Sequence, residues 1–177
     1  FSKISVAKDS LVYSDMNALI DEVLSDMEMQ IHEKNAHVQI DKLPSLYVNP
    51  GLIKSLFQNL ISNSIKYAQN EKEPEIKITS KIDTSMKAAI NKAPVKKYCR
   101  IYVEDNGVGF DQQYADQIFT MFKRLHVGNG YNGTGIGLAI CKKIVEEHHG
   151  YISAKSEVNK GTTFTISLPV LTSETLK

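Results

Sequence analysis

Apolar residues recur at helical spacing between about 16 and 34, at Leu19, Ile20, Val23, Leu24, Met27 and Ile31, which predicts one amphipathic helix. A second such stripe, Leu56, Phe57, Leu60, Ile61 and Ile65, predicts a helix from Pro50 to about Tyr67. Asn49 stands where a helix cap belongs, and proline is favoured at the first helical position. Between these helices, residues 38–40 read as a strand and 42–44 as a loop. After the polar connection 69–74, Ile76, Ile78 and Ile82 alternate with polar residues, predicting a half-buried strand over 75–82. Another strand is expected at 98–104, followed by a loop and a short helix in 111–123. The last helix leads out of 133–138 and lasts to His149, with Gly150 as its C′ residue. Residues 151–156 and 162–168 alternate well and are joined by Asn159-Lys160-Gly161, the pattern of a β-hairpin. Leu11–Tyr13 suits an edge strand, 83–97 reads as a long exposed hairpin loop, and the tail after Pro169 as a frayed end. Helices come first and strands mixed with helices follow. The expected fold is therefore α/β (α+β), a two-layer sandwich with a mixed sheet packed on helices.

At 177 residues the chain suits one domain with a good core, and 42% hydrophobic with 23% charged residues is a globular balance. A net charge of +1 gives no support for a broad nucleic-acid-binding surface. No apolar run approaches the ~20 residues that span a bilayer, and no signal peptide opens the chain. The start at Phe1 suggests a piece of something longer. Cys99 and Cys141 lack a CxxC spacing and read as small buried hydrophobes, in keeping with a reducing compartment. The unpatterned stretch 83–97 holds Lys87, Lys92, Lys96 and Lys97, a solvated loop or a contact for an acidic partner.

Four groups of residues carry candidate chemistry. Asn59, Asn63 and Lys66 share one helix face beside the apolar stripe. An amide oxygen there can ligate a hard cation and an ammonium can meet phosphate, or the trio is a polar edge that meets only water. Asp105-Asn106-Gly107-Val108-Gly109 ends an apolar strand. A carboxylate in that place can accept from an exocyclic amine, with glycines letting backbone pass close to a flat ligand; the same letters also make a simple turn. Gly133-Thr134-Gly135-Ile136-Gly137 precedes a helix whose N-terminus favours phosphate. It meets neither the dinucleotide fingerprint nor the P-loop spacing, so it is a phosphate-facing loop or a flexible connector. Arg124 follows Phe119 and Phe122, whose rings can anchor a short helix. Its guanidinium suits a transferring phosphate, or it is a surface arginine.

In their order, Asn59…Asn63…Lys66-Tyr67, Asp105-x-Gly107-x-Gly109, Phe119…Phe122-x-Arg124 and Gly133-x-Gly135-x-Gly137 resemble the N, G1, F and G2 boxes of the ATP-binding catalytic domain of sensor histidine kinases. The resemblance runs from about Asp15 to Pro169, and GTGIGLAICKKIVEEHHG looks especially like kinases of the phytochrome-like and PAS-linked sort. Departures are the long 83–97 loop and His149 where a glycine is common.

The resemblance implies a Bergerat-type sandwich that binds ATP and Mg²⁺. It would make 1–14 a linker from an absent dimerisation and phosphoacceptor domain, 15–170 the catalytic domain and 171–177 a tail. Asn63 would ligate Mg²⁺, Asn59 would lie beside the phosphates, Lys66 would contact them, and Tyr67 would pack near the base. Asp105 would accept from the adenine amine, with Gly107 and Gly109 shaping the base pocket. Phe122 and Thr134 fall within the boxes that line the nucleotide. Gly133, Gly135 and Gly137 would hinge a lid over 125–132, and Thr162 would help fix adenine through a water. Asn63, Lys66 and Arg124 would serve transfer of the γ-phosphoryl group to a histidine. The implied partners are the chain's own dimerisation domain and a response regulator receiver domain, in a homodimeric parent whose catalytic domain is cytoplasmic and touches no membrane.

The acceptor itself is not expected here. His32-Glu33-Lys34-Asn35-Ala36 is the nearest look-alike, but Ala36 replaces the usual Thr or Asn, and the stretch lies at a helix end. His37, His126, His148 and His149 read as surface or packing residues. One rival reading is a non-kinase ATPase of the same superfamily; the glutamate such enzymes use to activate water is replaced by Gln58 and Asn59. The other is a binding module, either an anti-sigma-type serine kinase or a degenerate nucleotide scaffold.

Overall fold

The computed structural model describes residues 10–85, 88–90, 93–95, 97–121, 135–173, 175 and 176, with backbone alone for 88–90, 93 and 94. In chain order these form β1 (Val12–Asp15), α1 (Met16–Asp26), α2 (Glu28–Glu33), β2 (His37–Ile40), β3 (Ser45–Val48), α3 (Pro50–Lys66), β4 (Glu75–Asp83), β5 (Ala88–Ile90), β6 (Ala93–Val95), β7 (Tyr98–Asp105), α4 (Gly137–Glu147), β8 (Tyr151–Glu157) and β9 (Gly161–Pro169). Two 3₁₀ turns, Gln112–Tyr114 and Gln117–Phe119, follow β7.

A five-stranded sheet runs in the order β2-β4-β7-β9-β8, parallel only between β2 and β4. Period-2 alternation puts Ile76, Ile78, Cys99, Ile101, Val103, Phe164, Ile166 and Leu168 on one face. That face packs on the apolar stripes of α1, α3 and α4, with α3 touching both other helices. The expected two-layer sandwich is the fold. Phe119 joins this core edge-on to Phe164, in keeping with its expected role as an anchor.

Several expectations need correction. The helix expected over 16–34 is two helices that meet at Met27, whose backbone leaves the helical region at φ −101° and ψ 7° while its side chain stays buried. The apolar periodicity crosses this bend unchanged, so the sequence pattern does not reveal it. Strand β3 has no counterpart among the expected elements; it pairs antiparallel with β1, tying Val12–Asp15 into the fold. Ile82, expected among the buried apolar positions of a half-buried strand, is 44% exposed near the end of β4. Within 83–97, read as a long exposed hairpin loop, β5 pairs antiparallel with β6, but Val95 is buried against Tyr98 and Leu171. Lys87, Lys92 and Lys96 lie outside the described residues.

The tail is anchored rather than frayed. Val170 N–H donates to the Lys97 carbonyl, Leu171 is buried with Val95 and Tyr98, and Leu176 packs against them. Thr175 is buried and its hydroxyl closes a turn on the Thr172 carbonyl. Helix α4 also ends one residue differently. His149, at φ +57°, is the left-handed C′ residue: its N–H bonds Glu146 O, and Gly150 N–H bonds Val145 O, a Schellman arrangement. Gly150 is glycine for another reason, because a Cβ there would stand 2.3 Å from the Ser167 carbonyl. A histidine in the left-handed region costs on the order of 1 kcal/mol. His149→Gly is therefore expected to raise the melting temperature by about 2–4 °C, and thermal unfolding of the two chains checks it.

His148 is buried as a packing residue between α3 and α4. Its Nε2 accepts the Asn49 N–H at 3.0 Å and its Nδ1–H donates to Ile144 O at 2.8 Å. Burial pushes its pKa below 6.5, helped by His149 and opposed by the Ile144 carbonyl and Glu147. The folded value is depressed, so the unfolded chain binds the extra proton and stability falls as pH drops below 6.5 toward the folded value. Urea midpoints should fall across that window more steeply for the parent than for His148→Gln, which keeps an acceptor for Asn49.

Candidate nucleotide-binding site

Helix α3 organises the site. Asn49 caps it, accepting from Leu52 N–H at 3.1 Å, and Pro50 opens it. Its buried stripe (Ile53, Leu56, Phe57, Leu60, Ile61, Ile65) turns Asn59, Asn63 and Lys66 to the half-buried lip, as their spacing predicts. Asn59 Nδ2 donates to Ser55 O at 2.8 Å. Its Oδ1 faces Gly137, where a Cβ would come within 2.8 Å, so the first turn of α4 lies directly against Asn59. Among the described residues the Asn63 carboxamide has no hydrogen-bond partner. Lys66 holds its ammonium 4.7 Å from the Tyr67 ring centre.

Asp105 ends β7 at the middle of the sheet, opposite Ile76 and Thr162. Its Oδ1 accepts Gly107 N–H at 2.9 Å and Thr162 N–H at 3.2 Å, and its Oδ2 accepts from Ser64 Oγ at 3.0 Å. Burial pushes its carboxyl above the usual range, and the three donors pull the other way. The group is a desolvated acceptor fixed by neighbours.

The glycines after it have separate structural reasons. A Cβ at Gly107 would meet the Tyr67 carbonyl at 2.6 Å, and Val108 N–H bonds that same oxygen. Tyr67 thus touches this loop through its backbone. Gly109 is left-handed, and a Cβ there would sit 2.1 Å from the Glu157 carbonyl, against the β8–β9 turn. The Thr162 hydroxyl pairs with Ser156 Oγ at 2.9 Å, while its N–H serves Asp105. Gly135 is left-handed at φ +69°, and Gly137 begins α4, whose N-cap Ile136 gives no side-chain acceptor to the first turn. Phe122, Arg124, Gly133, Thr134 and the 125–132 segment lie outside the described residues.

Sequence reasoning misses the residues that brace this loop. Gln69 Nε2 donates toward the carbonyls of Asn106, Gly107 and Asn159 at 2.8–3.0 Å. Asn106 accepts the Glu75 N–H at the start of β4 and donates to the Glu73 carbonyl just before the strand. Ser156 Oγ accepts Phe110 N–H, and Gln112 clasps Ala154 and Ser156. These are common polar residues acting across long sequence distances, so no local pattern marks them.

Residues 48–172 match the model of the family described as histidine kinase-, DNA gyrase B- and HSP90-like ATPase. Phytochrome-like protein Cph1 of Synechocystis sp. is 35% identical over 96% of this chain and 21% of its own length. The chain spans about one fifth of the first curated relatives it matches. Among solved structures, the nucleotide-free catalytic domain of histidine kinase ThkA superposes with a TM-score of 0.70 at 27% identity, covering 90% of this chain and 95% of that one. ThkA in complex with response regulator protein TrrA shares the fold, with a TM-score of 0.68 at 24% identity over 91% of this chain and 42% of that one.

Proposed function

The chain belongs to the histidine kinase-, DNA gyrase B- and HSP90-like ATPase family, and from that membership we propose that it is the Mg-ATP-binding catalytic domain of a sensor histidine kinase. It transfers the γ-phosphoryl group of ATP to a histidine on a separate dimerisation domain, for onward transfer to a response regulator. The observation that carries this reading is Asp105: a half-buried carboxylate, held by three donors and flanked by close-packed glycine backbone, suits one exocyclic amine of a flat base. The ThkA likeness supports the kinase branch. Gln58 is exposed, and neither it nor Asn59 offers the carboxylate that water activation needs, which favours transfer to a histidine over hydrolysis.

The donor set fits a magnesium nucleotide. The half-buried Asn63 carboxamide would hold the ion, which would supply charge screening for the transferring group. Lys66 and Arg124 meet phosphates, Asn59 braces the start of α4, and the uncapped N–H groups there receive anionic oxygen. Tyr67, Phe122 and Thr134 line the nucleotide, Gly133, Gly135 and Gly137 hinge a lid over it, and Thr162 fixes the adenine side. The acceptor domain and a response regulator are the partners, in a homodimeric parent with this domain in the cytoplasm.

Calorimetric titration with a non-hydrolysable ATP analogue tests the assignment. We expect micromolar-range binding that Mg²⁺ strengthens. Asn63→Ala should weaken binding by about tenfold and erase the Mg²⁺ dependence. No binding by the parent chain, or an Asn63→Ala chain that keeps its Mg²⁺ response, would overturn it.

A further inference from the structure

We propose that Ser64 is a positioning residue for base recognition: its hydroxyl sets the plane of the Asp105 carboxylate, so preference for a 6-amino purine depends on a side chain that does not meet the nucleotide. The inference rests on the reading of Asp105 as the acceptor for the base. Ser64 is the one polar residue in the buried stripe of α3, at 3% exposure. Its Oγ lies 3.1 Å from Leu60 O and 3.0 Å from Asp105 Oδ2. One hydroxyl proton serves one acceptor at a time. The Leu60 carbonyl already takes part in the helix ladder and the carboxylate is the stronger acceptor.

A buried helical serine can satisfy itself on its own i−4 carbonyl, so packing alone does not require the reach to Asp105. That reach matters to the carboxylate instead. Gly107 and Thr162 both donate to Oδ1. Among the described residues Ser64 is the side chain that donates to Oδ2. With donors on Oδ1 alone, the group pivots about that oxygen and its free lone pair loses a fixed direction. With Ser64 in place, one lone pair of Oδ2 is used and the other keeps a set direction for an amine.

The test is affinity for two nucleotides, ADP and purine riboside 5′-diphosphate, in which hydrogen replaces the 6-amine. Ser64→Ala should weaken ADP about tenfold and leave the desamino nucleotide unchanged. Equal losses for both nucleotides, or no loss for ADP, would overturn the proposal, because a merely structural role does not distinguish them. Asp105→Asn separates the two levels of inference. If it leaves ADP binding intact, the base reading fails and the Ser64 role falls with it. If it abolishes the ADP preference while Ser64→Ala does not, the Ser64 role alone fails. Melting curves verify folding. Should Ser64→Ala not fold, Ser64→Cys, similar in shape with a weak donor, carries the same comparison.

Discussion

Asp105→Asn should lower affinity for ADP by about a hundredfold while leaving the melting temperature unchanged or higher. The two effects have one cause. In the folded chain burial outweighs the donors from Gly107, Ser64 and Thr162, so the carboxyl pKa lies above the ordinary 3.8. A group whose folded pKa is raised contributes its stability below the unfolded value and loses it as pH rises through the folded value. Ionising Asp105 as pH rises through that folded value is therefore a cost to folding. Asparagine keeps an oxygen for the two N–H groups on Oδ1 and presents its amide to Ser64 Oγ, which can accept. Charge and desolvation cost disappear together. The base, however, would then meet an N–H where it needs an acceptor, and two donors face each other. Melting curves at pH 4 and pH 7 should show the variant gaining on the parent at the higher pH. A variant that binds ADP normally, or that melts several degrees lower at pH 7, would remove Asp105 from the proposed role.

Legibility in the sequence divides along physical lines. Helix α3 is legible because its signals are local: Asn49, Pro50 and an apolar stripe within 17 residues. Strands β4, β7 and β9 are legible because they sit mid-sheet and alternate. Strand β3 is only four residues long and exists through pairing with β1, which lies beyond two intervening helices and a strand. The anchored tail depends on Val95 and Tyr98, and nothing within 171–176 announces them. The site divides in the same way. Asp105, Asn59, Asn63 and the glycines stand out because backbone approach and spacing restrict them. Ser64 and Gln69 gain their roles from contacts 41 and 37 or more residues away, so their letters look ordinary in the chain.

Gly161 shows how a residue can be assigned correctly for an incomplete reason. As the last member of Asn159-Lys160-Gly161 it reads as a hairpin turn, and at φ +116° it does adopt a backbone that glycine tolerates. The larger constraint comes from the neighbouring strand. A Cβ at Gly161 would lie 1.9 Å from the Asp105 carbonyl oxygen and 2.8 Å from its carbon. Both are backbone atoms, so no rotamer change relieves the overlap. Either β9 moves away from β7 or the end of β7 bends. Both movements disturb Asp105, because the adjacent Thr162 N–H is one of its donors. Gly161→Ala should therefore lose about 3 kcal/mol or more, from left-handed strain and overpacking together. That corresponds to a melting temperature lower by on the order of 10 °C, with nucleotide affinity falling in parallel. Gly51→Ala is the matched control: a Cβ in the first turn of α3 finds its nearest neighbour, Asn49 Oδ1, at an ordinary 3.5 Å. It should gain up to about 1 kcal/mol, since alanine orders a helix more readily than glycine. A Gly161→Ala chain as stable as the parent would mean that the β7–β9 contact yields easily, and Asp105 would then owe its position to Ser64 and Gly107 rather than to the strand beside it.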